Sequence, residues 1–566
     1  MFKYPLINYF ADNDCESLDS YKEEKDCQCY MDEACGLTLI HFAAMCNEID
    51  IIIRLIKKDP MNQFESFYGY TPLYFAAEKG HLEAFKVLIE HFKIIDLSSN
   101  GTSKGWSTPL YTAAENGHAD VCQLIIDKIK EKHSKETAEE MLNSKSYFDN
   151  YTALHKAAIH NKPEVCNVLM KESLIDKLPR DKLRKKWTPL HYAAERGHFE
   201  VVKVMTEHLD INERNPADIF GMTPLYWAIR NDRDGNPTPS HLKICKLLIE
   251  NIEDKNPIQG TPIQNTVKNT LLHIAAEDGH VEICKMILEP ISDKNPVNKH
   301  GETPLHLAAS NGHLEICQMI TDKIEKVNPA DKFGKTPMHC AARHGNLSMF
   351  KLFFEKTDVK NPKDRYGHTP LHLAAAGGHV EICQIIFKNI GIKNMKNDEG
   401  WTPLHLAAQN GHLNICSIII DQVDEKSPKT KREGLTPLHL AVENEKLDVC
   451  KLLISKTKNL NVPDKKGKCP LHYAAKNGQF EVCQSIIAKV KNKSPVDKTG
   501  KTPLHLAGQF GHFEICELIL KNASDKNTRD RKDHNGKTPF ETVKSAPIKK
   551  ANKAKLIQLF ESYKCE

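Results

Sequence analysis

The sequence predicts an all-α solenoid, built from helix-turn-helix units that stack on one another and are joined by β-hairpin loops. Two observations support this fold class: a motif that recurs at a fixed period, and start and stop signals for two helices inside each period. The chain has 566 residues, of which 40% are hydrophobic and 27% charged, so a packed core is expected. The motif Thr-Pro-Leu-His and its variants begin at fifteen positions: Thr38, Thr71, Thr108, Thr152, Thr188, Thr223, Thr270, Thr303, Thr336, Thr369, Thr402, Thr436, Cys469, Thr502 and Thr538.

The unit from Gly301 to Pro329 shows why each period predicts two helices. Thr303 is a good N-cap, and Pro304 suits the first helical position, where no N–H is needed. Gly312 can adopt the left-handed conformation that closes the first helix. A second amphipathic helix follows, with apolar residues about 3.6 positions apart, at Leu314, Ile316, Cys317, Ile320 and Ile324. One unit cannot bury both apolar faces, so neighbouring units must share a continuous core.

At these residues the chain resembles the ankyrin-repeat family, whose pattern is Gly-x-Thr-Pro-Leu-His-x-Ala-Ala followed by Gly-His and a second helix. The resemblance covers roughly residues 36 to 560 and implies paired antiparallel helices, projecting hairpins and a concave protein-binding face. Near-complete copies lie at Gly301–His313, Gly367–His379, Gly400–His412 and Gly500–His512. Departures are Tyr74, Tyr111 and Tyr226 in place of the motif His, Leu39 in place of Pro, and Ala153 in place of Pro.

Changes in the period divide the chain into four segments. Residues 1–35 form an acidic leader or partial N-cap, 36–262 are irregular ankyrin repeats with insertions, 263–530 are regular repeats, and 531–566 are a C-terminal capping repeat. We expect the insertion around Lys128 to Leu142 to lengthen a second helix. A further insertion, Asn231 to Ser240, lies between two helices and marks a bend or weak joint.

The cysteines and histidines follow the repeat, which favours structural roles for both. Ten cysteines share one position in the second helix, and Ile52, Phe85, Val202 and Phe350 fill that position elsewhere, so it is a buried apolar site. Those ten are Cys122, Cys166, Cys245, Cys284, Cys317, Cys383, Cys416, Cys450, Cys483 and Cys516. The motif His, such as His306, is expected to bond back toward the hairpin as Glu does in a capping box.

No catalytic, metal or cofactor signature accompanies these residues. Cys27 and Cys29, with Cys35, lack a second pair at zinc-finger spacing, and Gly-Lys-Thr at Gly334 lacks the first glycine of a phosphate-binding loop. We therefore expect no enzyme activity, no metal site and no cofactor. The net charge of +4 gives no reason to expect nucleic-acid binding. Apolar runs too short to span a bilayer, the missing signal peptide and the many reduced thiols predict a cytoplasmic protein without membrane insertion.

Positions that vary between repeats carry the information about a partner. Six-residue windows around the seven hairpin glycines from Gly301 to Gly500 hold 13 Lys or Arg and 8 Asp or Glu, so the hairpins are basic. Asp331 and its equivalents Asp364, Asp464 and Asp497 are explained by Asx turns. Aromatic side chains beside basic ones are typical anchors of protein interfaces. The predicted binding residues are Lys332, Phe333, Lys335, Arg365, Tyr366, Trp401, Lys466, Lys468, Lys501 and Phe510.

These features favour a non-enzymatic scaffold or adaptor that binds protein partners, one of them through an acidic segment. Two alternatives stay open at this point. The chain can be a targeting or regulatory subunit that recruits substrates to an enzyme complex, or the ankyrin portion of a channel or toxin system. The sequence leaves the oligomeric state undetermined.

Overall fold

A computed structural model of the chain describes residues 37–58, 70–91, 108–146, 150–182, 186–230, 238–257, 268–390, 395–522 and 526–563. The acidic leader, the three cysteines Cys27, Cys29 and Cys35, and most of the Asn231–Ser240 insertion lie outside these residues. The described residues form 32 α-helices. They belong to two compact units, Met1–Asp293 and Lys294–Glu566, here called the N-terminal unit and the C-terminal unit.

The N-terminal unit contains seven pairs of a first and a second helix. Its first helices are α1 (Leu39–Met45), α3 (Pro72–Lys79), α5 (Pro109–Asn116), α8 (Ala153–Ile159), α10 (Pro189–Glu195), α12 (Pro224–Ile229) and α14 (Leu271–Asp278). Its second helices are α2 (Ile49–Lys58), α4 (Leu82–His91), α6 (Ala119–Lys132), α9 (Pro163–Lys171), α11 (Phe199–His208), α13 (Pro239–Asn251) and α15 (Val281–Leu288), with a short 3₁₀ turn at Ile211–Glu213.

The C-terminal unit repeats the pattern eight times. Its first helices are α16 (Pro304–Asn311), α18 (Pro337–His344), α20 (Pro370–Gly377), α22 (Pro403–Asn410), α24 (Pro437–Glu443), α26 (Pro470–Asn477), α28 (Pro503–Phe510) and α31 (Pro539–Ser545). Its second helices are α17 (Leu314–Thr321), α19 (Leu347–Lys356), α21 (Val380–Ile390), α23 (Leu413–Gln422), α25 (Leu447–Lys456), α27 (Phe480–Ile487), α29 (Phe513–Asn522) and α32 (Lys550–Ser562). The short helix α30 (Lys526–Asp530) precedes the last pair.

Within each unit the pairs stack in chain order, first helix on first helix and second helix on second helix. Most first helices carry an alanine pair, such as Ala308 and Ala309, which is fully buried and allows the backbones to approach closely. Ile316 and Ile320 fill the layer between first and second helices. The predicted all-α architecture of stacked helix pairs is therefore confirmed.

The insertion around Lys128 to Leu142 agrees with the prediction in part. Helix α6 is 14 residues long but stops at Lys132, and Ser134 then caps the separate helix α7 (Lys135–Leu142). The Ser134 hydroxyl accepts from the backbone N–H of Thr137 at 3.4 Å. The second helix is thus lengthened as predicted as far as Lys132, and the rest of the insertion forms a new helix because a serine cap restarts the chain there.

Candidate functional site

Each hairpin of the C-terminal unit is closed by the side chain of one Asp or Asn, except that Thr430 closes the hairpin before α24, where its hydroxyl accepts from the backbone N–H of Leu435 at 3.0 Å. Oδ1 of Asp331 accepts from the backbone N–H groups of Phe333 and Lys335, both at 2.8 Å. The N–H of Asp331 also donates to the carbonyl of Lys335 at 2.8 Å. Asp364, Asp464 and Asp497 accept bonds in the same pattern, so the Asx turns predicted from the sequence are confirmed.

Backbone hydrogen bonds join each hairpin to the one before it. The residue directly after this capping Asp, Asn or Thr, here called the tip position, donates its N–H to the preceding hairpin: Arg365 to the carbonyl of Phe333 at 2.7 Å, and Lys498 to the carbonyl of Lys466 at 2.9 Å. Every tip residue along the chain, beginning with Lys332 and ending with His534, makes this bond. These bonds fix the tip positions as one continuous row with a single orientation.

The tip row is exposed and mostly basic. It consists of Lys299, Lys332, Arg365, Asp398, Lys431, Lys465, Lys498 and His534, of which six are Lys or Arg and one is Asp. Only Lys332 and Arg365 were among the predicted binding residues. The other six tip residues could also have been identified from the sequence, since each directly follows the capping Asp, Asn or Thr of its hairpin.

The next position places aromatic side chains beside these cations. Phe333 is 38% exposed and Tyr366 is 53% exposed, and they lie on neighbouring hairpins. Lys466 occupies the same position farther along the array and is also exposed. Phe333, Arg365 and Tyr366 therefore form one cluster of exposed aromatic and basic groups.

Four other predicted residues each come directly before the N-cap of a first helix, and they are only half exposed. The carbonyl oxygens of Lys335, Trp401, Lys468 and Lys501 accept hydrogen bonds from Nε2 of the motif histidines of the preceding repeats, at 3.0 to 3.2 Å. Nζ of Lys501 donates to Oε1 of Gln509 at 2.9 Å. Their backbones thus hold adjacent repeats together.

Phe510 lies apart from the hairpin residues. It is the last residue of α28, at the opposite end of this first helix from the hairpin. Its ring is 45% exposed, and Nζ of Lys476 stands 5.8 Å from the ring centroid. The structure therefore brings together the predicted residues on the hairpins and leaves Phe510 on another edge of the unit.

The motif histidines connect the hairpins to the helices. Nδ1 of His405 accepts from the backbone N–H of Thr402 at 3.1 Å, and its Nε2 donates to the carbonyl of Leu435 in the next repeat at 3.1 Å. The predicted capping role is confirmed, and the bond to the following repeat is an addition. Burial lowers the pKa of His405 to about 4, so its ring is neutral at pH 7.

The buried cysteines of the second helices have the character of core residues. Burial raises the pKa of the Cys416 and Cys483 thiols to about 12, so neither is a thiolate at pH 7. In the described part of the chain, no three His, Cys, Asp or Glu side chains converge as a metal site would require. Nor does any helix in these residues have the length and apolar character needed to cross a membrane.

Comparison with protein families supports this architecture along most of the chain. The family described as Ankyrin repeats (3 copies) matches seven overlapping segments: residues 6–100, 94–181, 172–259, 240–331, 323–398, 390–464 and 456–530. Together these matches run without a gap from residue 6 to residue 530. The helix pairs, the Thr-His caps and the linked hairpins of the structure agree with that match, and the chain belongs to the ankyrin-repeat family.

Proposed function

We propose that the protein is a non-enzymatic scaffold or adaptor that binds partner proteins through the hairpins and first helices of its ankyrin array. Ankyrin repeats commonly bind proteins, and the matched segments contain no catalytic domain. The proposed partner of the C-terminal unit is an acidic, partly apolar segment of another protein. The observation that carries the proposal is the tip row, in which hydrogen-bonded hairpins present six exposed cations.

The aromatic groups give this basic row its proposed anchor. Exposed lysines alone keep a large surface soluble, whereas Phe333 and Tyr366 expose apolar rings that a partner would bury. Arg365 lies on the same hairpin as Tyr366, and its backbone N–H donates to the carbonyl of Phe333, so the backbones that carry the cation and the two rings are held next to each other. An acidic segment with an apolar side chain is complementary to this cluster in both charge and surface chemistry.

We also propose a cytoplasmic location. Free thiols such as Cys122, Cys245 and Cys450 recur in the second helices, and a reducing compartment maintains such thiols. Nucleic acid is not the proposed partner because Asp398, Glu399 and Glu433 interrupt the basic hairpins with acidic side chains.

The test measures binding of a labelled 20-residue peptide, rich in Glu and Asp and containing two Tyr, by fluorescence anisotropy. One variant of the full chain reverses four tip residues, Lys332, Arg365, Lys465 and Lys498, to Glu. The control variant reverses four exposed lysines outside the hairpins, Lys351, Lys388, Lys458 and Lys491, and has the same net charge.

The tip variant is expected to weaken binding by at least about tenfold, and the control by less than about threefold. Binding to the wild-type chain should also fall as ionic strength rises, because the contacts are exposed. Equal losses in both variants would show that only net charge matters. Unchanged binding by the tip variant would remove the hairpins from the function.

A further inference from the structure

The turn between the two helices of each repeat forms another edge of the C-terminal unit. In six of the seven turns from α16 to α29 a glycine takes the left-handed conformation at this turn: Gly312, Gly345, Gly378, Gly411, Gly478 and Gly511. In the remaining turn, between α24 and α25, Glu445 takes this position with a φ of 59°. A side chain in this region clashes with its own backbone, so a glutamate here is unfavourable for the fold.

A cleft of about 260 Å³ opens beside Glu445, where α25 and α27 begin. Leu447 and Phe480, the first residues of these helices, are 36% and 39% exposed. Leu413 and Phe510, in the repeats on either side, are exposed as well. The residues that line this cleft, here called the turn cleft, are Glu445, Leu447, Gln479, Phe480, Glu481 and Val482.

The side chains at this turn also depart from the repeat pattern. Where His412 donates from Nε2 to the carbonyl of Ala376 in the preceding repeat, the next repeat has Lys446, whose stem lies across Gly411. Gln479 takes the histidine position of the following repeat and keeps the backward bond, with its Nε2 donating to the carbonyl of Val442 at 2.7 Å. Packing between repeats is thus preserved, and it does not explain the glutamate at position 445.

Charge at the turn cleft is opposite in sign to that of the tip row. The exposed carboxylates of Glu443, Glu445 and Asp448 have no ion pair among the described residues, and Glu481 pairs with Lys451 at 2.6 Å. The side-chain stem of Lys446 extends toward Gly411 of the preceding repeat. The ammonium group of Lys476 stands over the ring of Phe510, which belongs to the repeat after that of Lys476. The lining of the cleft therefore combines apolar walls with the carboxylate of Glu445, which has no ion pair among the described residues, and Glu443 and Asp448 lie near it in the chain.

We infer that the turn cleft is a second protein-binding surface, which takes a partner segment with an apolar or aromatic side chain next to Lys or Arg. The apolar side chain fills the space between Leu447 and Phe480, and the cation pairs with Glu445. A site of this kind explains why a glutamate stands where glycine is favoured, since rules of local structure are broken where function requires it. It is separate from the hairpins, which select the opposite charge.

Selection from a phage-displayed library of random 16-residue peptides, on the full chain, tests this inference. Peptides recovered from the wild-type chain are synthesised, and their affinities are measured for three variants. Phe480→Ser removes an apolar wall, Glu445→Gln removes the charge alone, and Leu314→Ser is the matched control at the equivalent position of a distant repeat.

The enriched peptides are expected to share an apolar or aromatic residue beside Lys or Arg. Their affinity should fall about tenfold or more with Phe480→Ser and about threefold with Glu445→Gln, and stay unchanged with Leu314→Ser. The variant with the four tip residues reversed should bind them as the wild type does.

Three results would overturn the inference. One is the absence of enriched peptides that depend on Phe480, and another is a shared acidic sequence among the peptides. The third comes from sedimentation velocity, where a dimer of the full chain that Phe480→Ser dissociates would show that a second copy covers the cleft.

Discussion

Mild acid should destabilise the protein through its motif histidines, because their buried rings must stay neutral. His405 illustrates the constraint: Nδ1 accepts from the Thr402 N–H, and the proton on Nε2 is donated to the carbonyl of Leu435. A second proton on Nδ1 would remove this acceptor and bury a charge. His372 and His439 are held in the same way.

The sign and magnitude follow from the pKa values. Burial lowers the pKa of His372, His405 and His439 from 6.5 to about 4 in the folded protein. Below pH 6.5 the unfolded chain therefore binds more protons than the folded one, so the free energy of unfolding falls as pH falls toward 4. At pH 5.5 each histidine costs about 1.4 kcal/mol, and the three together cost about 4 kcal/mol.

Urea unfolding followed by circular dichroism at 222 nm, at pH 7.5, 6.5 and 5.5 and constant ionic strength, measures this loss. Glutamine can also serve in a capping box, so His405→Gln should keep most of the cap while reducing the pH dependence by about 1.4 kcal/mol. The last helix pair shows that a side chain other than histidine can make this cap, since the carboxylate of Glu541 accepts from the Thr538 N–H at 2.8 Å. An unfolding free energy that changes by less than about 1 kcal/mol from pH 7.5 to 5.5 would refute this reasoning.

Substitutions at three positions test other parts of the structure by urea unfolding. Glu445→Gly should stabilise the chain by about 1 kcal/mol, and Glu445→Ala should not, because only glycine relieves the left-handed backbone; equal effects would contradict this. Gly378→Ala should destabilise by about 2 kcal/mol, since Gly378 has a φ of 84° and a Cβ there would lie 2.6 Å from the His412 ring; a neutral effect would show that the turn adapts. Tyr192→Phe should cost about 2 kcal/mol, because the buried Tyr192 hydroxyl donates to the carboxylate of Asp181; a loss below about 0.5 kcal/mol would mean that the bond contributes little.

Local chemistry was enough to predict the helices and their caps. Threonine, proline and glycine at fixed offsets determine where the first helices begin and end, and the fixed period requires the pairs to stack. The forward bond of the motif histidine could not be predicted, because the acceptor of His405 is a carbonyl of the next repeat and depends on the stacking distance. The separate helix α7 is not evident from the sequence, because an insertion rich in Lys, Glu and Ala suits one continuous helix as well as two.

The candidate site was predicted in part for the same reason. The sequence identifies the hairpins as basic and the Asp residues as turn formers, but composition alone does not say which lysine points away from the fold. The linked hairpins resolve this: Lys332 is exposed at a tip, whereas Lys335 is half-buried beside its own cap. Phe510 resembles the hairpin aromatics in the sequence, yet helix length places it at the other end of α28.

The same geometry gives the array two independent sets of variable positions. A first helix of eight residues separates the hairpin from the turn by about 12 Å, and packing within the unit uses the residues between them. Substitutions at tips such as Lys465 and at turns such as Glu445 therefore change the surface without changing the core. If the two edges bind separate partners, the tip variant and Phe480→Ser should each abolish one interaction and leave the other intact. Loss of both interactions in either variant would mean that one partner spans the repeat from hairpin to turn.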